Sequence, residues 1–268
     1  MQRRCTTICC GTPRARIRRT ERLVSRPLPP SWARYNLRPV RLPRRLTHLA
    51  ADCGGFVATR IWGDYRFSPK QYVTWLHTFK PEWAATMDYR CEDEITAGKP
   101  GLVRQRQERT TQMAWYFWQR HRSVPWVWVP TVQGWQIADY KQHARAMKPL
   151  IDTMQAFYAR NNTFRVGIGT LCRRASAAMI HEVVRAVRRE LPGIPLHLWG
   201  VKLGALQSRR GLPAAVVSVD SASWNSRFGR QLEEYKRSGL SQRKFAFTVA
   251  LPRYLAKVER ALRSGKRI

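Results

Sequence analysis

Phe164-Arg165-Val166-Gly167-Ile168-Gly169 opens the stretch that decides the fold. The run Phe164–Ile168 is short, mostly apolar and closed by a glycine, which suits a strand buried on both faces. Ser176 then introduces Ala177–Leu191, a good helix former stopped by Pro192-Gly193. A second apolar run, Pro195-Leu196-His197-Leu198-Trp199, follows and ends at Gly200. Strand, helix and strand in this order make a parallel unit with a crossover.

The same pattern recurs on both sides. Thr47–Ala51 ends at Asp52, Trp83–Met87 at Asp88, Trp126–Val132 at Gln133, and Ala214–Val219 at Asp220. Between them lie helical stretches at Lys70–Phe79, which follows Ser68-Pro69, and at Leu102–Arg122. Ile137–Met147 continues past Pro149 as Leu150–Arg160, and Arg253–Arg263 forms a basic helix near the C-terminus. Repeated strand–helix units predict α/β architecture. The pattern fits either a (β/α)8 barrel or an open doubly wound sheet. Residues 244–251 (Lys-Phe-Ala-Phe-Thr-Val-Ala-Leu) and Tyr35–Val40 are weaker strand candidates.

The chain has 268 residues, with 49 Lys and Arg against 17 Asp and Glu, a net charge of +32. Its hydrophobic content of 44% excludes a mostly disordered chain. No apolar run is long enough to span a bilayer, so no membrane partner is expected. The charge points to a polyanion, because each neutralised phosphate releases counterions. Residues 1–46 hold 13 Arg, no Lys and one acid, Glu21, together with six prolines. They read as a basic, flexible arm, or else as an organelle presequence or an overextended start, before a body at 47–268. The six cysteines, Cys5, Cys9, Cys10, Cys53, Cys91 and Cys172, form no CxxC pair. Neither a disulfide scaffold nor a structural zinc site is expected, and a reducing cytosol fits best.

Placement of polar residues carries the functional reading. Asp52, Asp88, Gln133 and Asp220 each stand where an apolar run ends. In parallel α/β folds these ends share one face, where chemistry is built. A single such Asp reads as a helix cap or loop residue, whereas four in register point to a convergent site. Gly54 and Gly55 follow Asp52, and Gly167 and Gly169 flank Ile168, so the backbone can approach a flat ligand or make tight turns there. No GxGxxG, P-loop, HExxH or GxSxG pattern is present. His197 lies inside a strand and reads as packing. Trp115, Trp118, Trp126 and Trp128 read as core. Trp135 and Trp224, just beyond Gln133 and Asp220, are placed to stack on a base.

At these residues the chain resembles the tRNA-guanine transglycosylase superfamily. Asp52-Cys53-Gly54-Gly55-Phe56 resembles its Asp-Ser-Gly-Gly-Phe motif. Met87-Asp88 with Cys91 resembles its Asp-x-Cys base-recognition segment at longer spacing, and Val132-Gln133-Gly134 its Val-Gln-Gly motif. Gly167–Gly169 falls at the glycine-rich base platform, Trp199-Gly200-Val201 at a Met-Gly-Val-like strand end, and Asp220 at the nucleophile. The family's zinc subdomain has no counterpart after Asp220, and Cys53 replaces a serine. Residues 166–174 and 219–224 look closer to the DpdA-like deazaguanine DNA transglycosylases of phages and bacteria.

The resemblance implies an irregular (β/α)8 TIM-like barrel without the zinc subdomain, and a pentosyltransferase of restriction-modification type. It would exchange guanine in DNA for a 7-deazaguanine base of the preQ0 type. Asp220 would be the nucleophile and Asp52 the general acid/base. Asp88 and Gln133 would read the base edge, with Cys91, Gly54, Gly55, Gly167 and Gly169 around it. Arg173, Arg174 and the C-terminal Arg260, Arg263, Lys266 and Arg267 would meet phosphates. No metal or redox cofactor is required. The implied partners are DNA and a deazaguanine base, with room for a helper ATPase, in a bacterial or phage-infected cytoplasm. The alternatives are the same exchange on tRNA without zinc, and a non-catalytic nucleic-acid-binding barrel.

Overall fold

The computed structural model describes residues 49–160, 163–172, 176–201, 203–206, 213–220 and 231–264. Seven short strands run in one direction among them: β1 (Ala50–Ala51), β2 (Trp83–Ala85), β3 (Val127–Val129), β4 (Thr131–Val132), β5 (Val166–Ile168), β6 (Leu196–Leu198) and β7 (Val216–Val219). They form two parallel sheets, ordered β1-β2-β3 and β4-β5-β6-β7. The longer helices among the described residues are α1 (Pro69–His77), α2 (Pro100–His121), α3 (Ile137–Phe157), α4 (Ala177–Glu190) and α5 (Leu251–Ser264). The fold is therefore mixed α/β with parallel sheets, as the alternation of apolar runs and helix formers requires.

The run Trp126–Val132 is split rather than continuous, and Pro130 marks the split. Proline has no N–H for the ladder. Its neighbours divide their bonds instead: Val129 O accepts from Thr86 N at 3.0 Å, while Pro130 O accepts from Gly167 N at 2.8 Å. The chain thus leaves one sheet and enters the next without turning. The sheets also meet across their inner faces. Trp83 of β2 packs on His197 of β6 and on Trp199 just after it, with ring centroids 5.0 and 5.8 Å apart.

Helix boundaries follow local chemistry. Ser68 caps α1, accepting from Gln71 N, while the Gln71 side chain returns a bond to Ser68 N. Helix α3 runs unbroken through Pro149. Tyr72, Trp75, Phe117 and Trp128 are almost fully buried and pack α1 and α2 against β3. Truncating such an aromatic to alanine costs about 3–5 kcal/mol. Trp118 and Trp126 are also buried, as expected.

Residues 244–251 are helical, correcting the strand expectation. Their alternation is superficial, since Phe245, Ala250, Leu251 and Tyr254 are buried at helix-like spacing, and Phe245 stacks edge-on against Tyr235. Tyr35–Val40 lies outside the described residues. No helix among the described residues is long and apolar enough to cross a membrane.

Candidate active site

The strands are parallel, so their C-terminal ends share one rim, and the polar residues stand on it. Asp52 follows β1, Asp88 lies just beyond β2, Gln133 follows β4, Gly169 and Thr170 follow β5, and Asp220 follows β7. Backbone pairing continues to the last of these: Asp220 N donates to Leu198 O at 3.1 Å, and Val201 N donates to Asp220 O at 2.9 Å. Asp220 is thereby fixed beside Trp199 and Gly200.

Asp88 and Gln133 form the centre. Gln133 Nε2 donates to Asp88 Oδ2 at 2.7 Å, and Thr170 Oγ1 donates to Gln133 Oε1 at 2.5 Å. Thr170 in turn accepts from Cys91 N at 3.0 Å. The other Asp88 oxygen accepts from Cys53 Sγ at 3.3 Å. Tyr65 braces this side, donating to Asp88 O at 2.9 Å and lying 3.2 Å from Cys53 Sγ. Gln133 N donates to His143 Nδ1 at 2.8 Å, and Gln107 Nε2 donates to Gln133 O at 2.7 Å. Burial pushes the His143 ring down to about 4, so it is neutral, and its Nε2 proton faces Thr111 Oγ1 at 3.1 Å.

Glycine permits these approaches. Gly54, at φ 75°, turns the chain from Asp52 into a short helical segment, Gly55–Trp62. A Cβ on Gly55 would collide with Asp88 Oδ1, and one on Gly169 with the Gln133 amide. A Cβ on Gly167 would strike the Trp199 indole, whose Nε1 donates to Thr131 Oγ1 at 3.2 Å. The bare Gly167 backbone therefore seats a tryptophan.

Three carboxyl groups share one poorly hydrated region. Asp220 is pushed up to about 7 by burial, partly opposed by the Gly200 N–H that it accepts. Asp52 rises to about 7 through burial first and then the charge on Asp220. Asp88 rises to about 7 through burial and then the charge on Asp52. Asp52 and Asp220 repel one another when both are ionised, so the group gives up its protons in steps around neutrality. Burial also lifts the Cys53 thiol well above its usual range, with the Asp88 and Asp52 charges adding to it.

Asp52, Cys53, Gly54, Gly55, Asp88, Gln133, Gly169 and Asp220 thus converge. Cys91 supports the cluster through its backbone. Its side chain is fully buried and directed toward Tyr89 O and Val103 O, with burial raising its thiol. Trp135 is half-buried, and its N–H is held by Asp139 Oδ2 at 3.0 Å. Arg173, Arg174 and Trp224 lie outside the described residues, as do Lys266 and Arg267. Sequence reading did not find Tyr65, Gln107, His143 or the bonds of the Thr170 side chain. It also did not find the buried pair Arg90–Glu92, whose Nε and Oε2 lie 3.2 Å apart beneath the Phe56 ring. A separate groove of about 730 Å³, lined in part by Lys70, Trp115, Tyr116 and Arg120, shares no residue with this cluster.

Comparison with curated proteins gives no match. The family model DpdA, described as DeoxyPurine in DNA protein A, matches residues 15–245, a span that starts inside the Arg-rich segment and includes every residue of the cluster. Its extent over most of the chain, together with the strand-end acids it encloses, makes this protein a member of the DpdA family.

Proposed function

We propose that this chain exchanges guanine in DNA for a 7-deazaguanine base of the preQ0 type through a covalent intermediate on Asp220. The observation that carries this reading is the Asp52–Asp88–Gln133–Asp220 cluster, whose carboxyl groups are buried together and raised to about 7; the exchange uses Asp220 ionised and Asp52 protonated. Family membership supplies the context of a modified purine in DNA.

The chemical problem is a sugar C1′ that gains oxocarbenium character as its base departs. Asp220 as carboxylate forms a bond from Oδ to C1′ while the C1′–N9 bond breaks. The electron pair of that bond leaves with the purine, which takes the Asp52 proton. In the return half, the incoming base gives its N9 proton to Asp52. Its nitrogen then forms the new bond to C1′, and the Asp220 carboxylate is released. The anomeric configuration is retained.

The base edge is read opposite. Ionised Asp88 accepts the ring N–H and the exocyclic amine of a guanine-like edge. Gln133 Nε2 carries two hydrogens, so it holds Asp88 with one and meets the base carbonyl with the other. The target base must leave its stack to arrive, at a cost of a few kcal/mol, which phosphate contacts from a chain of +32 help to offset. Residues 1–46, with 13 arginines, are the richest source of such contacts. We take the two sheets as arcs of one irregular TIM-like barrel. The Pro130 passage and the Trp83–His197 contact support this arrangement.

The test is base exchange measured side by side on duplex DNA and on tRNA, with labelled guanine and unlabelled deazaguanine bases. Release and incorporation on DNA alone is the expected result. Exchange confined to tRNA, or binding without exchange for every base supplied, would overturn the proposal.

A further inference from the structure

Beneath Asp220, inside the sheets, lies a histidine that the exchange reaction described above does not use. His197 is fully buried on β6, and its Nε2 has no hydrogen-bond partner among the described residues. That nitrogen stands 3.7 Å from Asp220 Oδ1. The ring is clamped elsewhere. Its Nδ1 lies 2.8 Å from Ser218 Oγ, which also accepts from the Arg165 guanidinium at 2.8 Å. Trp199 and Trp83 pack edge-on against the imidazole, with centroids 4.1 and 5.0 Å away. Arg165 is itself stacked on Trp83, 5.0 Å from the ring centre.

These contacts choose a tautomer. Ser218 Oγ accepts a hydrogen bond from Arg165, so its own hydrogen is free to meet His197 Nδ1. The opposite tautomer would set an Nε2 lone pair against the Asp220 carboxylate. A charged ring is disfavoured by burial and by Arg165, which hold His197 well below the ordinary histidine range. The groups facing the ring are Asp220 and Ser218 of β7, Arg165 next to β5, Trp83 of β2 and Trp199 after β6. Asp220 is the one acid among them.

We propose that His197 is a positioning residue for Asp220, presenting a neutral Nε2–H to the carboxylate oxygen that the Gly200 N–H also holds. Two donors on one oxygen fix the carboxylate plane and leave the second oxygen directed at its target. At 3.7 Å the contact is long, as catalytic hydrogen bonds often are before substrate binds. The inference rests on the reading of Asp220 as nucleophile, but it concerns a contact that can be measured without turnover.

Two variants separate its parts. His197→Phe keeps a ring between the tryptophans and removes the donor. His197→Gln keeps an N–H near the Nε2 position. Single-turnover exchange should fall roughly ten- to a hundredfold in His197→Phe, the scale of one hydrogen bond to a charged group. Its acidic limb should move to higher pH, base KM should be unchanged, and His197→Gln should recover much of the loss. Independently of exchange, carbon NMR should show Asp220 titrating at higher pH in His197→Phe. Nitrogen NMR of the wild-type protein should show a neutral ring protonated at Nε2. An unchanged Asp220 titration, or a ring protonated at Nδ1, overturns the inference even if the variant is slow through poor folding. A shifted titration in a protein that exchanges no base sustains the inference and removes the proposed function instead.

Discussion

Gly169→Ala is the sharpest single-atom probe of the site. The added methyl would overlap the Nε2, Cδ and Oε1 atoms of Gln133, all inside the 3.0 Å that real Cβ atoms respect. A free side chain would swing away at little cost, but this amide is tied at both ends, to Asp88 at 2.7 Å and to Thr170 at 2.5 Å. Moving it leaves buried polar groups unpaired at about 1–3 kcal/mol each, and overpacking adds about 1–3 kcal/mol if it stays. The protein relaxes along the cheaper path, so a net loss of about 2–4 kcal/mol is expected. For a domain of this size that lowers Tm by roughly 4–16 °C. Thermal unfolding and calorimetric titration with guanine measure the two faces of the effect, stability and base affinity. Gly101→Ala is the control. A Cβ at Gly101 meets nothing within 4 Å in α2, so this change is expected to be neutral or to stabilise by up to about 1 kcal/mol. Wild-type stability and guanine affinity in Gly169→Ala would show that Gln133 is not clamped as described.

Further consequences concern charge. Asp220→Asn should abolish exchange while DNA binding, measured at fixed salt, stays near wild type; active Asp220→Asn protein would remove the nucleophile assignment. Asp88 is held at about 7 when folded against an ordinary 3.8, so its contribution to stability is full below about pH 4 and is lost as pH rises through 7. Asp88→Asn should therefore raise Tm at pH 8, by up to about 4 kcal/mol of stability before compensating losses, with the gain shrinking by pH 5. A pH-independent difference would contradict the burial of that carboxylate. The pH–rate profile should be bell-shaped around neutrality, since Asp220 must lose its proton while Asp52 keeps one. Cys53 and Cys91 are sealed and their thiols raised, so maleimide at pH 7.5 should leave both unmodified in the native protein; fast labelling of either would show an open site.

Much of this arrangement is legible in the sequence because strand ends announce themselves. Apolar runs stop at Asp52, Asp88, Gln133 and Asp220, and parallel strands can only bring such residues to one rim. What escaped are partners chosen by tertiary packing. Tyr65 sits in a loop after Gly63-Asp64, with no periodic signal, yet it braces both Cys53 and Asp88. Thr170 follows the glycine-flanked strand end at φ 56°, and it is its side chain, not its backbone, that the sequence does not announce as orienting Gln133. His143 is one residue on a helical face and joins the cluster through the bond it accepts from Gln133 N. The close seat of the Trp199 indole on Gly167, a contact made across 32 residues, has no local signal either. Residues 244–251 mislead for the opposite reason: Phe245, Phe247 and Val249 alternate locally, while the burial of Phe245, Leu251 and Tyr254 needs a helix.

The central claim is a bond between Asp220 and a deoxyribose carbon. Intact-mass analysis of the protein mixed with a short guanine-containing duplex, quenched in acid before any incoming base is added, tests it most directly. The account predicts a protein–DNA adduct lacking one guanine, mapping to the peptide with Asp220 and missing in Asp220→Asn. Base exchange that proceeds at wild-type rate in Asp220→Asn, or an adduct mapped to another residue, would contradict it.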